Sequence, residues 1–288
     1  MRYPSATPGL AGNEFRQVRV FVGPDAMGNV TGVVTVGPDT RPEDLAAGAR
    51  LLGYPETAFV RQDADTVDVT SYSPYERLRV CTQTLLATEH VLRSCRELSL
   101  GTDLLAGTDV GEVPVRRYED MAYVVLTGKR TPVRAARARL PLDGVVHGEA
   151  FVVDTGRARS YVRLPPDTLE AVRLDPAAVL SYCAAEGVRG ICLVARSDNA
   201  VRLRVFTTSL AGAEDVATGG AAGGLPAFLA ATGGGHSQSV LVRQGYGTAL
   251  TRGELHVRPL GGAQVAVGGR VISVSTGRLD ARLPTLTR

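Results

Sequence analysis

Apolar and polar positions follow two periods along the chain, one typical of strands and one typical of helices. Apolar and polar residues alternate over Thr66–Tyr72 (TVDVTSY) and over Val201–Thr207 (VRLRVFT), which predicts two strands. Helix-like stretches run from Pro42 to Leu52 and from Asp175 to Glu186, each with proline or acidic residues in its first turn. The 33 glycines and 16 prolines fit many short strands joined by turns.

These patterns occur twice, in the same order, in the two halves of the sequence. Leu51–Val60 (LLGYPETAFV) resembles Ala185–Val194 (AEGVRGICLV) at an offset of 134 positions, which places Glu56 opposite Gly190. In each half the strand is followed by a polar loop and an apolar helix, predicted at Cys81–Leu92 and Ala217–Leu229. A repeat of this length predicts two similar lobes and not a solenoid.

The repeat also indicates where the lobes begin and end. Val145–Arg163 is expected to repeat the strands of Val18–Val36, and the arginine-rich stretch Arg130–Pro141 is the predicted crossover. We therefore expect a first lobe of residues 1–130, joined by a C-terminal strand at 272–288, and a second lobe of residues 131–271.

Both apolar helices begin on small residues, Thr82–Thr84 in the first half and Thr218–Gly220 in the second. A helix N-terminus has free N–H groups and a partial positive charge, and so it attracts carboxylates. Two such lobes facing each other would hold a small acidic molecule in a cleft. The glycine run Gly219–Gly224 is also explained by close helix packing, and the sequence leaves both explanations open.

Composition excludes several other classes of protein. The chain has 288 residues with 44% hydrophobic content, and it contains no run approaching the roughly 18 apolar residues of a membrane span. The N-terminus lacks a signal-peptide pattern, so we expect a cytoplasmic protein. Four cysteines and four histidines show no metal-ligand spacing, and at least three of the cysteines are expected to be buried. The arginine cluster has no aromatic platform beside it, which argues against nucleic-acid binding.

Five blocks in order resemble the phenazine-biosynthesis-protein-F-like family, within the diaminopimelate epimerase fold. They are GNVTGVV (Gly28–Val34), ETAFV (Glu56–Val60), the stretch Pro74–Leu92, EDVATGGA (Glu214–Ala221), and the closing QG and VGGR elements at Gln244 and Val267–Arg270. The resemblance implies an α+β fold of two pseudo-symmetric lobes, each a β-barrel-like sheet wrapped around a central helix, with the active site between them. It also implies a cofactor-free isomerase or epimerase that removes a proton beside a carboxylate or diene.

By this resemblance Glu56 is the catalytic base and Asp215 orients the substrate or shares its proton. The repeat supports the first assignment, because the partner position is glycine and the fold alone does not need an acid there. The alternative for Glu56 is a surface glutamate, and for Asp215 a helix N-cap. The substrate-binding residues are expected to be Gly28, Asn29, Cys81, Thr82, Gln83, Thr84, Thr218, Gly219 and Gly220.

The chain departs from the family pattern in ways that bear on chemistry. Gln83 replaces the usual histidine and cannot carry a proton near pH 7. Gly220 replaces a serine. Cys81 lies where related epimerases have one of two catalytic thiols, but Val216 and Ala217 in the other half cannot carry a proton. A paired-thiol racemase is thus disfavoured, and Cys81 is expected to be a small buried residue or a thiol contact to the substrate.

The sequence therefore predicts an isomerase that shifts a double bond in a small unsaturated or cyclic imino carboxylate. The expected setting is bacterial natural-product biosynthesis, with pyrroline carboxylates of alkylproline pathways as one candidate. An amino-acid epimerase of the same fold and a catalytically silent ligand-binding homologue remain as alternatives. We expect no metal, no cofactor, no nucleic acid and no membrane among its partners, and a homodimer that covers exposed strand edges.

Overall fold

The structure is a computed structural model that describes residues 13–63, 66–95, 97–99, 102–127, 133–197, 200–233, 238–261 and 264–279. The α-helices in these residues are α1 (Pro42–Leu52), α2 (Thr82–Ser94), α3 (Pro166–Ala171), α4 (Pro176–Glu186) and α5 (Gly219–Ala231). The strands of the first half are β1 (Glu14–Val22), β2 (Asn29–Thr35), β3 (Glu56–Gln62), β4 (Val67–Tyr72), β5 (Arg77–Leu78), β6 (Leu104–Thr108), β7 (Gly111–Tyr118) and β8 (Met121–Thr127). Those of the second half are β9 (Val133–Ala135), β10 (Ala150–Asp154), β11 (Ala158–Arg163), β12 (Gly190–Ser197), β13 (Ala200–Thr207), β14 (Glu214–Asp215), β15 (Val240–Gly245), β16 (Arg252–Gly261), β17 (Gln264–Gly268) and β18 (Arg270–Arg278).

The chain divides into two compact units. Unit 1 is drawn from the segments Met1–Val20, Val30–Ala122 and Val271–Arg288, and unit 2 from Phe21–Asn29 and Tyr123–Arg270. The sequence placed the boundary at residue 130, whereas the division falls after Ala122. In the structure, the short segment Phe21–Asn29 also belongs to unit 2.

Unit 1 is built from parallel strand pairs joined by helices. β2 pairs in parallel with β3 after the α1 crossover, and β3 runs antiparallel to β4. β4 then pairs in parallel with β6 after α2, and β6 forms a hairpin with β7. Each parallel connection therefore uses a helix, as the geometry of parallel strands requires.

Unit 2 repeats this order of elements. β11 pairs in parallel with β12 after α3 and α4, β12 runs antiparallel to β13, and β13 pairs in parallel with β15 after α5. The register is repeated as well: Phe59 pairs with Thr70 in unit 1, and the residues 134 positions later, Leu193 and Arg204, pair in unit 2. The predicted internal repeat is confirmed.

The helices before β3 and β12 end in the same way. Gly53 follows α1 and Gly187 follows α4, both with positive φ, and their N–H groups donate to Ala49 O and Cys183 O. A left-handed glycine at this position ends a helix without steric strain. At the start of α4 the Asp175 carboxylate accepts the N–H of Ala178 at 3.1 Å. The sequence places both helices correctly.

A buried helix lies against the sheet in each unit. α2 packs on β3, β4 and β7, and α5 packs on β9, β10, β16 and β17. Both helices are buried over most of their length. A Cβ at position 224 would lie 2.3 Å from the Tyr161 Oη, so Gly224 is required by packing. The predicted α+β fold is confirmed, and in each unit a buried helix packs against the sheet.

Two smaller predictions are corrected. The stretch Arg130–Pro141 is not only a connector, because Val133–Ala135 pairs with β10 as a strand; Arg130 itself lies outside the described residues. Cys183 and Cys192 are buried, whereas Cys81 and Cys95 are half-buried as whole residues, so fewer cysteines are buried than expected, although the thiol group of Cys81 is itself buried. None of the helices described is long and apolar enough to cross a membrane.

Candidate active site

Glu56 is the first residue of β3 in unit 1. The chain reaches it directly from the left-handed turn at Gly53, through Tyr54 and Pro55, so the end of α1 fixes its position. Its side chain is buried, with 6% of the residue exposed, and its backbone pairs with Thr31 of the parallel strand β2. Glu56 is therefore not a surface glutamate.

Gln83 lies next to the same strand position. It is the second residue of α2 and is buried. Its side-chain amide donates to Thr31 Oγ1 at 2.8 Å and to the Val30 carbonyl at 3.4 Å. Gln83 donates to the hydroxyl of Thr31, and Glu56 pairs with the backbone of Thr31, so Thr31 links the two residues.

Cys81 and Thr84 complete this corner of unit 1. Burial raises the pKa of the Cys81 thiol to about 12, and the negative charge of Glu56 contributes to the rise, which places the two side chains near each other. Thr84 Oγ1 donates to the Cys81 carbonyl at 2.9 Å and bonds to Ser71 Oγ at 2.7 Å. Thr82 is buried beside them. A thiol with so high a pKa is not an acid–base group at neutral pH.

The corresponding corner of unit 2 cannot hold an acid. Gly190 occupies the position 134 residues after Glu56, and a Cβ there would lie 2.6 Å from the carbonyl oxygen of Phe206. Such a contact is too short for any side chain without movement of the backbone. The repeat therefore permits a carboxylate in unit 1 and excludes one in unit 2.

Asp215 lies in unit 2, at the end of the short strand β14. It is buried, and both of its side-chain oxygens accept hydrogen bonds: Oδ1 from Asn29 Nδ2 at 2.8 Å and Oδ2 from the Thr218 hydroxyl at 2.5 Å. Asn29 Nδ2 also donates to the Ala217 carbonyl at 2.9 Å. Burial raises the pKa of Asp215, while the bonds from Thr218 and Asn29 oppose the rise.

Thr218, not Asp215, is the N-cap residue of α5. Its backbone N–H donates to Gln244 Oε1 at 2.9 Å, and Gln244 Nε2 donates in turn to Thr218 Oγ1 and to the Asp215 carbonyl. The N-cap alternative for Asp215 is thus wrong, although its side chain does bind the capping residue. The first turn of α5 is held by a network that includes Asn29, Asp215 and Gln244.

Glu214, which precedes Asp215, has a separate structural partner. The guanidinium of Arg204 is fully buried and binds both carboxylate oxygens of Glu214, at 2.8 and 2.6 Å. It also donates to the carbonyls of Leu169 and Val172, and it lies over the Tyr246 ring at 4.2 Å. Arg204 therefore anchors the strand that carries Asp215.

Gly28 and Gly220 shape the backbone around this network. Gly28 has φ of 63° and donates its N–H to the Arg252 carbonyl at 3.0 Å. A Cβ at Gly220 would lie 3.2 Å from Arg159 Nη1, so the missing serine side chain leaves room for a guanidinium. Gly219 is buried at the start of α5.

The structure groups the predicted residues by unit. The group in unit 1 consists of Glu56, Cys81, Thr82, Gln83 and Thr84. The group in unit 2 consists of Gly28, Asn29, Asp215, Thr218, Gly219 and Gly220. The expectation that the two groups share a cleft stays a prediction.

Sequence reasoning missed three residues of these groups. Thr31 and Gln244 lie within the quoted blocks GNVTGVV and QG, but the blocks alone do not show that their side chains bind Gln83 and Thr218. Arg159 had no signal, since arginines are scattered along the chain and make up 31 of its 32 basic residues.

The described residues contain no group of three or more His, Cys, Asp or Glu side chains that could hold a metal ion. His90 bonds to Ser273 Oγ at 3.0 Å and is partly exposed. His236 lies outside the described residues.

The protein is an internally duplicated α+β protein. One repeat carries the buried acid Glu56, and the other carries Asp215, which is held by hydrogen bonds near the start of α5. The sequence matches the family model of phenazine biosynthesis-like proteins (PhzC-PhzF) over residues 18–277. The chain therefore belongs to this family, and the predicted resemblance is confirmed.

Solved structures support the fold. A putative PhzC/PhzF protein from Clostridium difficile is similar with a TM-score of 0.76 at 18% identity, covering 93% of this chain and 99% of that chain. A PhzF-family protein from Bacillus anthracis gives 0.78 at 17% identity, covering 94% and 99%. A hydroxyproline epimerase from Agrobacterium vitis, with bound trans-4-hydroxy-L-proline, gives 0.62 at 12% identity, covering 93% and 92%. No curated protein matches the sequence.

Proposed function

We propose that the chain is a cofactor-independent isomerase that moves a proton, and with it a double bond, on a small unsaturated or cyclic imino carboxylate. Membership of the phenazine biosynthesis-like family and the likeness to an epimerase support isomerase or epimerase as the broad class. The observation that carries the proposal is Glu56, a buried carboxylate beside the start of α2, at a position where the second repeat has no room for a side chain.

The chemistry needs one group that takes a proton from carbon and returns it to another carbon. A carboxylate can do both if its surroundings bring its pKa near neutrality, and burial acts in that direction for carboxylates in general. Gln83 replaces the family's histidine, and its amide is held by Thr31, so it can orient a ligand but not carry the proton. Glu56 therefore acts as the single base, on one face of the substrate.

The geometry of Asp215 favours this isomerase over an epimerase. An epimerase needs a second proton carrier, and Asp215 is the sequence's one good candidate. Both of its side-chain oxygens accept hydrogen bonds, from Asn29 and Thr218, which suits an anchor of the α5 N-terminus better than a group that must exchange protons with a substrate. We assign Asp215 the role of holding that terminus in place.

The setting is a specialised bacterial pathway, with pyrroline carboxylates as the candidate substrate class. The replacement of the family's histidine and serine by Gln83 and Gly220 supports a substrate unlike that of the common members. The proposed partner is the small carboxylate substrate, and the homodimer remains a prediction.

The test is hydrogen exchange in deuterated buffer, followed by NMR on a panel of small unsaturated and cyclic imino carboxylates. The variants are Glu56→Gln and, as a control, Glu43→Gln, which changes an exposed glutamate of the same unit. Deuterium should enter at a carbon with the wild type and the control but not with Glu56→Gln, and a moved double bond should change the ultraviolet spectrum.

The position of the label separates the alternatives. Label at the α-carbon with inversion and no moved double bond would establish an epimerase instead. Binding of panel members without exchange in any variant would leave a catalytically silent binding protein and refute the proposal.

A further inference from the structure

Unit 2 buries a guanidinium that its own residues leave largely unused. Arg159, on β11, is 5% exposed. Its Nη1 donates to the Arg157 carbonyl at 3.1 Å, but its Nε is buried with no hydrogen-bond partner, and no carboxylate in the described part of the chain forms an ion pair with it. A buried charge without an ion-pair partner is unfavourable for folding, so stability alone does not explain this residue.

The guanidinium lies at the first turn of α5. Gly220 is the second residue of that helix, and a Cβ on it would lie 3.2 Å from Arg159 Nη1 and 3.3 Å from Nη2. Within the described ranges, the N–H groups of Gly219 and Gly220 donate to no other residue. The guanidinium therefore lies beside the first turn of α5, whose first two N–H groups have no acceptor among the described residues.

The nearby acid does not neutralise this charge. Burial raises the pKa of Asp215, and the charge of Arg159 opposes this rise only weakly. Asp215 is already bound by Asn29 and Thr218, and it forms no ion pair with Arg159. A guanidinium forms strong, charge-assisted hydrogen bonds to a carboxylate, so the charge of Arg159 is available to an anionic ligand.

We propose that Arg159 supplies the charged part of the receptor for the substrate's carboxylate at the first turn of α5. This assignment rests on the proposed function, because it supplies the anion site that a carboxylate isomerase requires. Gly220 belongs to the receptor by its lack of a side chain, since a serine there would press on the guanidinium. Removal of Arg159 should therefore abolish the preference for an anionic ligand.

The test uses two probes of the same shape, pyrrole-2-carboxylate and its neutral counterpart pyrrole-2-carboxamide. Their dissociation constants are measured by calorimetry for wild type, Arg159→Gln, Arg159→Lys and Arg139→Gln. Arg139 is exposed and pairs with the exposed Asp143, so its variant controls for net charge. The wild type and Arg139→Gln should bind the carboxylate about 10- to 100-fold more tightly than the carboxamide, as loss of a charge-assisted contact predicts.

Arg159→Gln should bind both probes alike, and Arg159→Lys should recover part of the preference, since lysine keeps the charge without the planar fork. A melting temperature close to that of the wild type would confirm that Arg159→Gln is folded. Lysine serves as the second variant if glutamine does not fold.

Three results would overturn the inference. They are no binding of the carboxylate by the wild type, an equal loss of affinity for both probes in the Arg159 variants, or an unchanged preference for the carboxylate over the carboxamide in Arg159→Gln. These outcomes are independent of proton transfer. If the preference depends on Arg159 while no panel compound exchanges hydrogen, then the receptor is established and the isomerase function is refuted.

Discussion

Replacing Arg204 by methionine should destabilise unit 2 strongly. Arg204 is 1% exposed and makes four hydrogen bonds, two to the Glu214 carboxylate and two to the carbonyls of Leu169 and Val172. Removing one partner of a buried ion pair costs about 3–5 kcal/mol. Because the Glu214 side chain keeps 17% exposure and can regain some hydration, we expect a loss of about 3 kcal/mol in the free energy of unfolding.

The pair can be isolated by a double-mutant cycle with Glu214→Gln. Each single variant leaves a buried partner unsatisfied, whereas the double variant leaves no unpaired charge. The double variant should therefore lose at least about 1 kcal/mol less than the two single losses combined. For proteins of this size a loss of 3 kcal/mol lowers the melting temperature by about 6–12 °C.

The assay is urea unfolding followed by circular dichroism, with hydrogen exchange to locate the loss in unit 2. Arg139→Met is the matched control, because its pair with Asp143 is exposed on both sides and should contribute little. The reasoning would be refuted if each single variant lost less than about 1 kcal/mol in the free energy of unfolding and the loss in the double variant equalled their sum within about 0.5 kcal/mol. Arg204 would then not anchor the strand that carries Asp215.

Three further predictions follow from the two sites. Burial, and then the charge of Glu56, raise the pKa of Cys81 to about 12. Alkylation of Cys81, followed by mass spectrometry, should therefore be slow at pH 8 and faster in the Glu56→Gln variant. An unchanged rate in that variant would contradict the proximity of the two side chains. Gly190→Ala should lower stability by about 1–3 kcal/mol, since its Cβ meets the Phe206 carbonyl at 2.6 Å, and a melting temperature equal to that of the wild type would contradict this. Burial raises the pKa of Asp215, so the folded state binds its proton more tightly than the unfolded state, and the contribution of this residue to stability falls as pH rises from its ordinary value through the raised one. Denaturation experiments should show that the free energy of unfolding of the wild type, minus that of Asp215→Asn, falls as pH rises across that range. A difference that stays constant with pH would refute the raised pKa.

The repeated elements could be predicted because their signals are local. Proline in the first turn and glycine after the last turn define α1 and α4, and alternation defines β4 and β13. The offset of 134 positions then required the two halves to share one topology, which the register of Phe59 and Leu193 confirms. The family followed from blocks that lie in order along the chain.

The candidate site was predictable only where a residue's type carries its chemistry. Glu56 and Asp215 are acids in short blocks, so sequence alone could select them. That Asp215 is anchored by Asn29, 186 positions away, depends on the path of the chain, and no local pattern records such a contact.

The sequence by itself determined the order of helices and strands, the internal duplication and the family. Tertiary structure decided which side chains meet. It buries Glu56 and closes the same position in unit 2 with the Phe206 carbonyl. It also brings Arg159, one of many scattered arginines, against Gly220 at the start of α5. Local patterns are set by hydrogen bonding and side-chain period within a few residues, whereas these contacts depend on distances between residues far apart in the chain.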